Sequence, residues 1–258
     1  MVPGLSPQQQ AAAEKLLAQE GARRRHLVVS LSGAHAYGFP SPDSDLDLKS
    51  IHLEPTARLL SLGWEHTPAE RMEVIDGIEV DYSSNELRDV LIGILRGNGN
   101  YLERVLGHLR FEAGPELPEL QQLVHGALSR RLHRHYQGFA RGQLREWERT
   151  GFTSVKKLLY VLRTTLTGTH ALLTGELATD LSRLLDLYGF STANELIEQK
   201  RRGEAAMLPV ELSEKWRKQI GRAFEVLDAA LPRSILPEEP RNEAALDAWQ
   251  LEVRKRSW

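Results

Sequence analysis

The chain has 258 residues, 33 Lys plus Arg against 35 Asp plus Glu, and no cysteine. That length supports one large core or two modest ones, and the near balance of charge means that any nucleic-acid surface must be local. The missing cysteine excludes disulfides, a thiolate nucleophile and cysteine-bound zinc, while the lack of a span-length apolar stretch or a signal-peptide pattern predicts a cytoplasmic, soluble protein.

Ser6-Pro7-Gln8-Gln9 has the form of a capping box, so a helix is expected from Pro7 to near Gly21. Arg23, Arg24 and Arg25 then read as a solubilising link or as a contact for phosphate. His26 to Leu31 forms an apolar strand that turns at Ser32-Gly33. After a loop closed by Pro40 and Pro42, a second strand carries Asp45 and Asp47, with Leu46, Leu48 and Ile51 marking its apolar side. Residues two apart in a strand share a face, so the two carboxylates aim at one point. Such a pair repels unless a cation stands between them, and its oxygen donors suit Mg²⁺ or Mn²⁺. Asp43 follows Pro42 and reads as a turn former, and Lys49 has the parity to stand beside the acids.

Pro55 to Glu73 lacks sustained periodicity and reads as an irregular insertion, with Trp64 and His66 anchoring it or covering a ligand. Asp76-Gly77 predicts a tight hairpin between short strands, the second carrying Asp81. Paired beside the first acid strand, it completes a cluster of Asp45, Asp47 and Asp81 able to hold two divalent cations for in-line nucleotidyl displacement. With no cation bound, these solvent-facing acids are expected to repel, so that replacing one with Asn stabilises the metal-free protein.

Ser83-Ser84-Asn85-Glu86 offers another capping box, predicting a helix from Ser83 with Leu87, Val90, Leu91, Ile94 and Leu95 on its buried side. Asn100 is the candidate cap of the next helix. Glu112 to Pro118 reads as a boundary, dividing the chain into a catalytic domain, 1–115, and a helical domain, 116–258. From Arg130 to Lys157 the basic residues outnumber the acidic ones, forming either a wall for phosphate or RNA or a solvated arginine surface. The helix opening at Thr153-Ser154 packs through Val155, Leu158, Leu159 and Leu162 and places Lys156, Tyr160 and Arg163 on another side. Lys200, Arg201 and Arg202 read as a solvated helix end, and Arg254, Lys255 and Arg256 as a frayed tail or an addition to phosphate affinity.

The motif SGAHAYGFPSPDSDLDL, followed by the lone Asp81 and by NELRDVLIGILRGNGNYLERVL, resembles the DNA polymerase beta nucleotidyltransferase superfamily, within it a group that includes RNA-ligase-associated RNA-repair nucleotidyltransferases. Weaker similarity continues through VKKLLYVLR to HALLTGEL. The resemblance implies an α+β fold: a small mixed nucleotidyltransferase sheet flanked by helices, then a C-terminal helical domain closing the nucleotide and acceptor cleft. It implies catalytic, metal-holding Asp45, Asp47 and Asp81, with Asp81 nearest the incoming hydroxyl. The turn Ser32-Gly33-Ala34 is implied to approach the triphosphate, although the family's usual serine after the glycine is Ala34 here. His35 or Tyr37 of the same loop would touch nucleotide or acceptor, or serve the loop's own packing. Lys156, Lys157 and Arg163 are implied to meet phosphates. The implied reaction is Mg²⁺-dependent (or Mn²⁺-dependent) transfer of a nucleoside monophosphate from an NTP such as ATP to an RNA end, alongside an RNA ligase. A protein or small-molecule acceptor and a non-catalytic RNA-binding role are the alternatives.

Overall fold

The computed structural model describes residues 2–63, 69–203 and 205–258, so the roles expected for Trp64 and His66 lie outside the described residues. Ser6 caps α1 (Pro7–Gly21): its hydroxyl accepts from the Gln9 N–H at 3.1 Å, and the Gln9 side chain accepts from the Ser6 N–H at 3.0 Å. This is the reciprocal box read from the sequence. β1 (Arg25–Leu31), the single turn α2 (Gly33–Ala36), β2 (Leu46–Leu53), the turn α3 (Thr56–Leu59), β3 (Ala69–Ile75) and β4 (Ile78–Glu86) follow. Asp76 and Gly77 join β3 to β4 with φ of 50° and 83°, the left-handed pair a two-residue hairpin demands.

Two helix starts differ from expectation. Ser83 does not cap a helix, because β4 stays paired with β2 from Val80 to Glu86. Its backbone is committed to the ladder, and Glu86 caps α4 (Leu87–Leu95) by accepting from the Arg88 N–H at 2.7 Å. Asn98, not Asn100, caps α5 (Gly99–Leu106). Then come β5 (Arg110–Ala113), α6 (Leu117–Gly126), α7 (Arg131–Glu148), α8 (Val155–Thr174), α9 (Leu181–Leu187), α10 (Asn194–Arg201), α11 (Val210–Ala230) and α12 (Glu243–Lys255).

Among the described residues there is one five-stranded sheet in the order β3-β4-β2-β1-β5. The β2–β4 pair is parallel and its neighbours are antiparallel, giving the small mixed sheet flanked by helices that the sequence predicts. Ala12, Ala13, Leu16 and Leu17 of α1 pack on Val29, Leu31, Leu46, Leu48, Val80 and Tyr82. Each fully buried leucine in that layer contributes about 2 kcal/mol. Strand alternation then turns Asp47, Lys49 and Asp81 to the opposite face of the sheet.

The chain forms two compact units. One comprises Met1–Gly33, Asp45–Ala127 and Pro240–Trp258; the other comprises Ala34–Ser44 and Leu128–Glu239. The first therefore includes α6 and α12, which the division at 115 assigns to the helical part. Arg254 explains the return of α12: buried, it pairs with buried Glu86 and donates to the Glu54 carbonyl at 2.9 Å. The chain's closing residues are thus tied down rather than frayed.

In the second unit α8 is buried on nearly every side rather than along one stripe. Thr165 and Thr169 satisfy their hydroxyls within the helix, donating to the carbonyls of Val161 and Thr165 at 3.0 and 2.9 Å, and Thr167 donates to the Ala178 carbonyl beyond it at 2.8 Å. Part of the basic run serves packing here: Arg130 donates to the carbonyls of Leu236 and Ser234, and His133 meets Asp228 at 2.8 Å. No helix among the described residues is long and apolar enough to cross a membrane.

Candidate active site

Parallel pairing sets Asp47 directly beside Asp81. Asp45 stands just ahead of β2, two residues before Asp47, and is half-buried. The Lys49 ammonium reaches between the paired acids, 2.9 Å from Asp81 Oδ2 and 3.8 Å from Asp47 Oδ1. The side chains of Asp47 and Asp81 are 19% and 35% exposed, so both remain reachable by a ligand. Lys49 changes the expected electrostatics. With one ammonium against two carboxylates, the repulsion is already offset, and substitution of an acid by Asn gains no stability from relieving it.

Gly33 explains why the turn carries no side chain. Its φ is 62°, and a Cβ there would lie 1.9 Å from Asp47 Oδ2. The Ser32 N–H donates to the Asp47 carbonyl at 2.8 Å, so the turn is pinned along β2 and that N–H is already spent. Ala34 is buried with its methyl group in the second unit.

The loop Ala34–Ser44 is held by helices of its own unit. The Thr179 hydroxyl donates to the Ala36 carbonyl at 3.1 Å, the Leu181 N–H to the Tyr37 carbonyl at 2.9 Å, and Arg201 to the Gly38 carbonyl at 2.8 Å. Lys200 is fully buried and donates to the Ser41 hydroxyl at 2.8 Å, which in turn lies 3.0 Å from the Ser44 hydroxyl. It is not at a solvated helix end. The signal was in the spacing: Lys200 follows Leu196 by four residues and shares its buried face. Tyr37, Phe39 and Tyr160 form an edge-packed cluster with ring centroids 5.6–6.3 Å apart. Phe39 is wholly buried in it. Replacing Phe39 with Ala is expected to cost about 3–5 kcal/mol by the usual large-to-small penalty, measurable by urea unfolding.

The candidate phosphate contacts on α8 belong to this second unit. Arg163 is buried and lies 3.7 Å over the Tyr37 ring, so it bears directly on the loop. Lys157 donates to the Glu146 carbonyl at 3.4 Å and stands 3.7 Å from that residue's carboxylate. Lys156 is half-buried on the same helix, and His35 is half-buried in the loop.

Burial, with Arg163 adding to it, holds His135 down at about 4. Its ring packs on Phe139 and Tyr136. The unfolded imidazole titrates near 6.5, so as pH falls below that value the unfolded chain takes up the proton first. Stability is complete above pH ~6.5 and drains away towards pH ~4. Urea midpoints should show an extra loss of about 1–2 kcal/mol between pH 7 and 5 that is absent from His135→Gln.

Among the described residues no three His, Cys, Asp or Glu side chains form a metal-holding group. The chain brings together Asp47, Asp81, Lys49, Ser32 and Gly33, with Asp45 adjoining them in sequence.

Comparison with known proteins shows what the chain resembles. The profile of RlaP, the RNA repair pathway DNA polymerase beta family, matches residues 8–252. The chain is 28% identical over 233 residues to an uncharacterized protein of Methanocaldococcus jannaschii, covering 87% of this chain and 92% of that one. Among solved structures, a nucleotidyltransferase-like protein from Exiguobacterium sibiricum aligns with 96% of this chain and 80% of that one, at 9% identity and a TM-score of 0.34.

Proposed function

The chain belongs to the RNA repair pathway DNA polymerase beta family, whose reaction is of the nucleotidyltransferase type, and from that premise we propose that it transfers a nucleoside monophosphate from an NTP to a hydroxyl at an RNA end. The observation that carries this reading is the pairing of Asp47 with Asp81, with side-chain-free Gly33 pressed against the Asp47 carboxylate. In the reaction the acceptor oxygen forms a bond to the α-phosphorus as the bond to pyrophosphate breaks.

The residues fit a hard divalent cation: the donors are carboxylate oxygens, and the Lys49 ammonium already stands in for positive charge beside two of them. Asp45, Asp47 and Asp81 would hold Mg²⁺ or Mn²⁺, which would supply neutralisation of phosphate charge and acidification of the acceptor hydroxyl. Asp81, the more exposed of the paired acids, orients that hydroxyl by accepting its hydrogen bond. Lys49 swings on its flexible stem from the acids to the departing phosphate oxygens. Gly33 leaves backbone, rather than side chain, next to Asp47, so the triphosphate can come close. Arg163 acts within its own unit, fixing the Ala34–Ser44 loop through Tyr37.

The choice of RNA rests on α7. Arg134, Arg141 and Arg145 are exposed and recur at helical spacing on one side, and no ion pair of theirs occurs among the described residues. Consecutive phosphates suit such a stripe. The test incubates the protein with each α-³²P-labelled NTP, Mg²⁺ or Mn²⁺, and a mixture of RNA ends and proteins, beside Asp45→Asn/Asp47→Asn. Label migrating with RNA only for the intact acids supports the proposal. Label on polypeptide or a small molecule reassigns the acceptor, and RNA binding without transfer to anything makes the chain a binding protein.

A further inference from the structure

The row of acids continues onto the edge of the sheet. β3 pairs antiparallel with β4 so that Met72 lies opposite Asp81 and Val74 opposite Glu79. Across three strands one register line therefore reads Asp47, Asp81, Met72. Directly opposed residues share a face, with Cβ atoms about 5 Å apart. The residue before Met72, Arg71, turns the other way, donating to Gln19 and Glu20 of α1 at 3.0 and 2.9 Å, and Glu73, between Met72 and Val74, meets Arg71 on that side. Met72 and Val74 thus belong to the face that carries the acids.

Both are open to solvent, Met72 at 73% and Val74 at 70%. Edge strands are ordinarily protected by charge or by cover; on this face of β3 Glu70 supplies the charge, and Met72 and Val74 beyond it are apolar and exposed. Packing among the described residues does not account for an apolar pair at this position.

We propose that Met72 and Val74 form the platform on which the terminal nucleobase of the acceptor rests while its ribose hydroxyl meets Asp81. The inference rests on the RNA-end reading above. The ligand this surface fits is amphipathic over one strand spacing: a flat, largely apolar ring beside a hydroxyl, about 5 Å away. A nucleoside has that form. Met suits the ring because its thioether is polarisable and favours contact with aromatic systems, and because an unbranched chain adapts to any of the bases. Val74 extends the same ledge towards Glu79.

The test compares two RNA acceptors, one with an ordinary 3′-terminal nucleotide and one whose terminal nucleotide is abasic but retains its hydroxyls. Transfer is measured with wild type, Met72→Ser and Met72→Leu, and acceptor binding is followed by fluorescence anisotropy without NTP. The wild type should prefer the ordinary end about 5- to 10-fold, mostly through acceptor KM. Met72→Ser should bring the preference to within about twofold of none with the KM for NTP unmoved, and Met72→Leu should restore most of it. An undiminished preference in Met72→Ser overturns the platform, as does a wild type that transfers without any preference. Loss of a concentration-dependent dimer in Met72→Ser, by sedimentation, would assign the pair to a second copy instead. A wild type that uses no RNA end defeats the parent reading and this inference with it.

Discussion

Asp47→Asn is expected to lower nucleotide transfer roughly 10³-fold while leaving thermal stability within about 1 kcal/mol of wild type. The two halves have separate causes. Asp47 is the residue on which the candidate site converges: Asp81 lies beside it, Lys49 reaches it and Gly33 is shaped to it. Losing its charge removes an oxygen donor where phosphate charge must be neutralised, an effect of several kcal/mol on the barrier. Its ion pair with Lys49 contributes little to folding. The contact with Lys49 is long at 3.8 Å and partly solvated, and Lys49 keeps Asp81 at 2.9 Å in the variant. Side-by-side turnover and calorimetry read both halves. Equal loss of activity and stability would make Asp47 a structural residue.

Gly33→Ala should be nearly as harmful to activity, by 10²-fold or more, and unlike Asp47→Asn it should also destabilise, by about 1–2 kcal/mol or a few degrees in Tm. A methyl group at Gly33 meets two obstacles: the left-handed backbone at φ 62°, and the Asp47 carboxylate at 1.9 Å. The first sets the stability cost. The second sets the functional one, because a carboxylate oxygen cannot share that space and must rotate off its present line. The Ser32–Asp47 backbone bond prevents the turn from simply backing away. A double variant with Asp47→Ala should recover part of the lost stability, since the colliding side chain is gone, and none of the activity.

What could be read from the residues was what neighbours in sequence decide. The Ser6 box, the Asp76-Gly77 hairpin, the alternation from Leu46 through Asp47 and the parity of Lys49 are local patterns, and the fold contains each of them, with Asp45 just ahead of the strand rather than in it. Ser83 shows where local rules lose. Its capping-box pattern was sound in isolation, but seven residues of ladder with β2 outweigh one cap. Lys200 and Arg163 look like solvent-facing cations by residue type. Each is buried because the loop Ala34–Ser44, far away in sequence, supplies its partner: Ser41 for one and the Tyr37 ring for the other. Arg254 likewise depends on Glu86, 168 positions earlier. The same limit applied to Met72, whose significance comes only from its register with Asp81.

The loop Ala34–Ser44 is fixed within the second unit. It leaves from Gly33 and ends at Ser44, next to Asp45, and between those points Lys200, Arg201, Thr179 and Arg163 hold it.

The central claim is that Asp45, Asp47 and Asp81 act together as the cation and nucleotide site. Titrating Mn²⁺ into the protein with a non-hydrolysable NTP analogue, and following free Mn²⁺ by electron paramagnetic resonance, tests it most directly. The account predicts bound Mn²⁺ in the wild type, and at least tenfold weaker binding in Asp47→Asn and in Asp81→Asn, both still folded. Equal Mn²⁺ binding by the wild type and both variants would contradict it.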